Sequence, residues 1–206
     1  MHQSTVCRRL QALGKVQQTG KSVPDKLSEI NMTQRLSTCV SLSSRHKKKS
    51  FLWKIVTGDE KWIYYDNPVN KKQWLSPDQD PLPTPRPDNH RKKIMICVWW
   101  DQKGVIYYEL LEPKQTVNAN LYSQQLTRLN QALVTKRHWG AKGKRKVILL
   151  HDNARPHVAK TTQETIETLG WEVLSHPAYS PDLAPSGYHL FRSMQHFLKE
   201  KSYSDV

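Results

Sequence analysis

The sequence predicts an α/β fold, a mixed sheet flanked by helices, and three observations predict it. From Ile55 onward the local patterns read β-β-β-α-β-α-β-α, and a strand hairpin followed by alternating helices and strands lays its helices on the faces of one sheet. Ile94–Trp100 is a nearly continuous apolar run, the pattern of a buried strand, and it turns back through Asp101–Gly104. The 206 residues are 37% hydrophobic with seven Trp and eight Tyr, enough to build the core of one good-sized domain, or one domain with a small appendage.

Each element follows in order. Residues 4–13 read as a short amphipathic helix, with Ser4 as its cap, Val6, Leu10 and Leu13 on one face and Arg8 and Arg9 on the other. Gly14 and Gly20 break the chain, and Val23-Pro24 opens a segment leading to a second helix over Asn31–Lys49. That helix ends in Arg45-His46-Lys47-Lys48-Lys49, which is either a solvated helix end or a phosphate contact. Ile55–Tyr65, rich in β-branched and aromatic residues, reads as the first strand. Residues 67–91 hold six of the 12 prolines and no apolar periodicity, so they form a long extended loop, and loops of that length are usually functional. Val105–Leu111 is the returning strand of the hairpin. Asn118–Val134 is helical, with Leu121, Gln125, Leu129 and Leu133 in register. Lys136–Lys146 is a basic connection, Val147–Leu150 a short apolar strand, Thr161–Leu169 a helix closed by Gly170, Trp171–Leu174 a strand, and Leu183–Lys199 the last helix after the turn Ser180-Pro181-Asp182.

The formal net charge is +14, from 32 Lys+Arg against 18 Asp+Glu, which predicts a polyanionic partner, nucleic acid before any other. No stretch reaches the roughly 18 apolar residues of a membrane-spanning helix, and no secretory signal pattern opens the chain, so no membrane role is expected. Cys7, Cys39 and Cys97 are widely spaced without a Cys-x-x-Cys pair, which argues against a disulfide framework or a zinc site.

Asp59 lies in the first strand and Asp152 just past the end of the Val147–Leu150 strand. Carboxylates at strand ends can converge on one sheet edge, and hard oxygen ligands there suit Mg2+ or Mn2+. Two such ions about 4 Å apart activate a water or 3′-hydroxyl and stabilise the leaving oxygen in phosphodiester cleavage. A turn or a helix cap is the alternative role for either residue. His151, His157, His176 and His189 near these positions are expected to hydrogen bond around the sheet edge rather than bind metal. Asn153, His157 and Arg155 are placed to support Asp152 or meet a phosphate.

Several stretches together resemble one family. Val56-Thr-Gly-Asp-Glu-Lys-Trp-Ile63 resembles the first catalytic strand of mariner-type (Tc1/mariner) DNA transposases. Trp99-Trp100-Asp101 with Gly104-Val-Ile-Tyr-Tyr-Glu-Leu-Leu111 resembles their central hairpin, and His151-Asp-Asn-Ala-Arg-Pro-His157 the segment with the second catalytic Asp. Tyr179-Ser-Pro-Asp-Leu-Ala-Pro185 matches their YSPDLAP motif, and Val23-Pro24-Asp25-Lys26-Leu27, with Ser22 before it, a degraded WVPHEL linker. The resemblance spans essentially the whole chain. It implies an RNase H-like catalytic domain over 51–206, a linker with a basic helix over 21–50, and over 1–20 the remnant of a second helix-turn-helix module. It also implies a chain shortened at both ends, a clamp-like loop at 67–91 that could join a homodimer, Mg2+ or Mn2+ as cofactor, double-stranded DNA as partner and the nucleus as location.

In the family's DD34D triad Asp59 and Asp152 stand as the first two members, and the third falls at position 187, where this chain has Gly in Ser186-Gly187-Tyr188-His189-Leu190-Phe191. Asp182 belongs to the YSPDLAP motif and is expected to cap the last helix. The implied outcome is impaired cleavage and strand transfer, weak or single-site metal binding, and DNA binding that is non-specific and salt-sensitive through Arg8, Arg9, Arg45, Lys47, Lys48, Lys49, Lys71, Lys72, Arg86, Arg91 and Arg155. A domesticated DNA- or partner-binding protein and a residual metal-dependent nickase are the alternatives.

Overall fold

The computed structural model describes residues 27–67, 92–137, 146–199 and 201–203, together with Thr5, Arg8, Arg9 and Ala12, which are helical. The loop at 68–91, with Lys71, Lys72, Arg86 and Arg91, lies outside the described residues, as do most of residues 1–26 and the stretch 138–145.

Five strands form one mixed sheet. β1 (Ile55–Tyr64), β2 (Lys93–Asp101) and β3 (Gly104–Leu110) make an antiparallel meander. β4 (Ile148–Leu150) joins β1 in parallel and β5 (Glu172–Val173) joins β4 in parallel, giving the order β3-β2-β1-β4-β5. The expected strands are all present. Both faces of β4 are covered, Leu149 by the main core and Ile148 by Phe51 and Leu174, which is why its apolar run shows no alternation.

The helices are α1 (Glu29–Lys48), α2 (Ala119–Arg137), α3 (Arg155–Val158), α4 (Lys160–Leu169) and α5 (Arg192–Leu198). Tyr122, Gln125, Leu126, Leu129 and Leu133 of α2 recur at helical spacing and are buried against the sheet. They join Val56, Trp99, Ile106 and Leu149 of the strands and Ile166 of α4 in the main core. Gly170 ends α4 at φ 69°, a left-handed conformation that glycine adopts without steric cost. α1 is different. Ser28 caps it through Asn31 N at 3.3 Å, but no residue of the helix is buried. It is tied down by two forked ion pairs, Arg35 to Asp182 at 2.8 Å for both bonds and Arg45 to Glu172, and by Leu42 packing on Phe51, Ile148 and Leu174.

Three expectations need correction. The last helix is not continuous over 183–199. Pro181–Leu183 is a 3-10 turn, Ser186–Phe191 a π-helical segment, and regular α-helix begins only at Arg192. Pro185 keeps the residue before it, Ala184, in extended backbone (φ −89°, ψ 109°), so a helix begun at Leu183 cannot run through. Asp182 does not cap this helix, because its carboxylate is taken by Arg35. The four-residue α3 was not expected, since it is too short to carry a periodic pattern.

Gly58 shows how closely the hairpin packs on the strand that bears Asp59. It pairs with Trp99 across β1 and β2, and a Cβ there would overlap the indole Nε1 and Cδ1. Trp99 cannot yield, because it is fully buried and stacked on Tyr107. Gly58→Ala is expected to cost about 1–3 kcal/mol by overpacking. A thermal melt several degrees below that of the unaltered chain checks it, and an unchanged melt would show that the indole can move.

Candidate functional site

The site follows from strand register. β1 and β4 run parallel with Thr57 opposite Leu150, and the Thr57 hydroxyl donates to the Leu150 carbonyl at 3.1 Å. Two residues beyond each partner stand Asp59, midway along β1, and Asp152, just past the end of β4, so both carboxylates lie beyond the point where β4 stops. They line one cleft of about 600 Å3, whose far wall is the turn from Tyr179 to Pro185. The two aspartates thus face the same cleft.

The two carboxylates sit in unlike surroundings. Asp59 is half-buried, and its Oδ1 accepts from Glu60 N at 2.8 Å. Burial pushes its pKa up to about 7, with the Glu60 charge adding to the rise. Asp152 is exposed. Its Oδ1 accepts from His157 Nδ1 at 2.7 Å and from Ala154 N at 2.9 Å, and the His157 hydrogen bond holds its pKa down to about 2.

His157 is the buried centre of the site. Its Nδ1 meets Asp152 and its Nε2 meets Glu60 Oε1 at 3.2 Å, with only 3% of its side chain exposed. Burial opposes its charge, but hydrogen bonds to Asp152 and Glu60 outweigh that and push its pKa up to about 10. The ring stacks on His151 and lies 4.1 Å from Tyr122 between centroids. His151 bonds to the Tyr122 hydroxyl at 2.9 Å, and burial, then the neighbouring His157 charge, lower its pKa to about 4. Of the four histidines, His151 and His157 thus hydrogen bond around the sheet edge, and His157 holds Asp152.

Other candidates are placed as follows. Asn153 donates to the His176 carbonyl at 2.7 Å, so it ties the cleft walls together rather than holding Asp152. Arg155 is exposed at the start of α3. Lys47, Lys48 and Lys49 are exposed at the end of α1, and Arg8 and Arg9 are exposed in the N-terminal helical stretch. Arg45 is engaged by Glu172 and lies 4.3 Å over the Phe51 ring. Glu60 and Tyr122 were missed. Strand alternation sends Glu60 to the face opposite Asp59, and only the helical turn after Asp152 brings His157 round to it.

Gly187 lies exposed in the π segment, next to Ser186, whose hydroxyl accepts from Trp100 Nε1 at 2.9 Å. Ala184 and Pro185 of the same turn line the cleft. A Cβ at Gly187 would meet nothing closer than the Pro181 carbonyl oxygen at 3.9 Å. Among the described residues no group of three or more His, Cys, Asp or Glu side chains is arranged to hold a metal ion.

The family description "Transposase (partial DDE domain)" matches residues 64–142. The Mariner Mos1 transposase of Drosophila mauritiana is 54% identical over 201 residues, covering 98% of this chain and 58% of that protein. The crystal structure of the catalytic domain of Mos1 mariner transposase superposes with a TM-score of 0.75 at 52% identity, covering 90% of this chain and 79% of that one. This chain belongs to the mariner transposase family. Its mixed sheet with flanking helices is that family's RNase H-like fold. A Mos1 paired-end complex with the left transposon end superposes with a TM-score of 0.86 at 54% identity, covering 99% of this chain and 59% of that one. Other Mos1 paired-end complexes are described with Mn and with Mg. The chain thus spans a little under three fifths of the mariner transposase it matches. No helix among the described residues is long and apolar enough to cross a membrane.

Proposed function

We propose that this chain is a mariner transposase catalytic domain that keeps general affinity for double-stranded DNA and lacks efficient cleavage and strand transfer, because its third metal-ligand position is Gly187. The observation that carries the reading is the shared cleft. Asp59 and Asp152 line one cleft with Ala184 and Pro185, and two positions further on, 35 residues past Asp152, the sequence has glycine where the family pattern would supply the third carboxylate.

Two carboxylates fit one hard divalent ion but not two. Asp59 and Asp152 each commit Oδ1 to protein donors, and a magnesium-class ion accepts one or two carboxylates with water completing its shell. When bound, Mg2+ or Mn2+ would polarise a phosphodiester and lower the pKa of a water. The chain's own contribution is to fix Asp152 through His157 and to present both oxygens at the mouth of the cleft. The reading places the chain in the nucleus, with duplex DNA as partner and the 67–91 loop as a homodimer contact.

Thermal melting with Mn2+ tests the site. At about ten times the dissociation constant, the ion is expected to raise the melting temperature by about 3–6 °C, and Asp152→Ala is expected to lose that rise. Nicking of supercoiled plasmid should stay at background. Nicking above background that vanishes in Asp152→Ala would overturn the inactive reading and establish a residual nickase.

A further inference from the structure

A second cleft, of about 510 Å3, opens between the last turn of α1 and the start of β1. Ser41, Ser44, Lys48, Lys49, Ser50 and Lys54 line it, and none of its lining residues is acidic. Arg45 borders it too, but its guanidinium is forked onto Glu172 and stacked on Phe51, so it braces the wall. A helix C-terminus carries about half a unit of negative charge, which one lysine would satisfy. Glu172, held by Arg45, also feels the Lys54 charge, but three lysines beside three hydroxyls still exceed that need. Ammonium groups act as point charges toward phosphate, and serine hydroxyls donate to its oxygens.

Resting on the reading that the chain handles duplex DNA, we infer that this cleft is a phosphate-binding site that grips the sugar–phosphate backbone of duplex DNA away from the carboxylate cleft. Lys54 and Asp59 are five residues apart on an extended segment, about 16 Å. That is roughly half a helical turn of duplex, so one DNA can touch both. A lipid surface fits less well. Membrane docking needs apolar side chains to insert beside the charges; Phe51 of the lining is buried, and of the exposed neighbours Leu52 and Trp53 the indole lies under the Lys54 ammonium, which is 5.1 Å from the ring centroid.

The test is binding of a random-sequence duplex, followed by fluorescence anisotropy across a salt series. The variant Lys48→Gln/Lys49→Gln/Lys54→Gln is compared with the charge-matched Lys92→Gln/Lys103→Gln/Lys160→Gln. Each phosphate contact contributes about 0.9 to the slope of log affinity against log salt, so the cleft variant is expected to lose about 2–3 in slope and at least tenfold in affinity. The control should lose much less slope. Ser44→Ala/Ser50→Ala should weaken binding about threefold at unchanged slope, since hydroxyls release no counterions. Should the triple variant fail to fold, the three single Lys→Gln variants, each expected to lose about 1 in slope, replace it.

Equal slope loss in the cleft and control variants would overturn the site, because net charge would then be the cause. A retained slope in the cleft variant would overturn it as well. So would lost binding to phosphatidylserine vesicles with the DNA slope unchanged. An unaltered chain that binds no duplex at low salt removes the DNA reading itself and the site with it, whereas binding with a retained slope removes the site alone.

Discussion

Gly187→Asp is expected to raise Mn2+-dependent nicking of duplex DNA at least about a hundredfold over the unaltered chain. A third carboxylate would let the cleft hold metal at both the attacking and the leaving oxygen. A stabilisation of about 2.7 kcal/mol, modest for such charge neutralisation, corresponds to that factor. The structure offers little resistance. A Cβ at position 187 has only the Pro181 carbonyl near it, at 3.9 Å, and the neighbouring Ser186 is pinned to Trp100 at the end of β2. Gly187→Ala serves as the steric control and should stay at background, and Asp152→Ala added to Gly187→Asp should abolish the gain. Gly187→Asp without any gain would show that the missing carboxylate is not what limits this chain.

His157→Ala is expected to destabilise the fold by about 3 kcal/mol near neutral pH, since it strips the buried centre of an ion-paired group and leaves Glu60 without its partner. The half-exposed Asp152 loses less. Urea titration measures the change, and a loss under about 1 kcal/mol would mean that the histidine is a passive filler. The pH dependence separates the contributions. His157 has a folded pKa raised from 6.5 to about 10, so its contribution is complete below 6.5 and is lost as pH climbs through about 10. Asp152 is lowered from 3.8 to about 2, so its contribution is present above 3.8 and is lost as pH falls through about 2. Asp59 is raised from 3.8 to about 7, so its neutral form supports folding and that support drains as pH rises through about 7. As pH rises, the unaltered chain should therefore weaken first between about 4 and 7, through Asp59, and then between about 6.5 and 10, through His157, and His157→Ala should lose the second stage.

Much of the sheet was legible because its signals are local. The apolar run of β2, the turn before Gly104 and the glycine after α4 each need only a few neighbouring residues. Asp59 and Asp152 were legible as a pair because one lies within a strand and the other just past an apolar strand, and parallel pairing brings the two strands together. What escaped was long-range and polar. Glu60 meets His157 across 97 positions and Arg35 meets Asp182 across 147, and no periodicity announces such partners. Asp182 fitted the composition of a helix cap but met an arginine from another element first. Arg45 fitted a phosphate contact and instead holds Glu172.

The attachment of α1 has a consequence for when the basic cleft exists. A helix with nothing buried, fastened by two forked ion pairs and one leucine, opens with less free energy than the sheet it rests on. Raised ionic strength weakens those fastenings together, and each departure takes Ser41, Ser44 and Lys48 away from Lys54. Grip on a polyanion and docking of this arm are then one equilibrium seen from two sides: whatever bridges the arm to the sheet also staples it down.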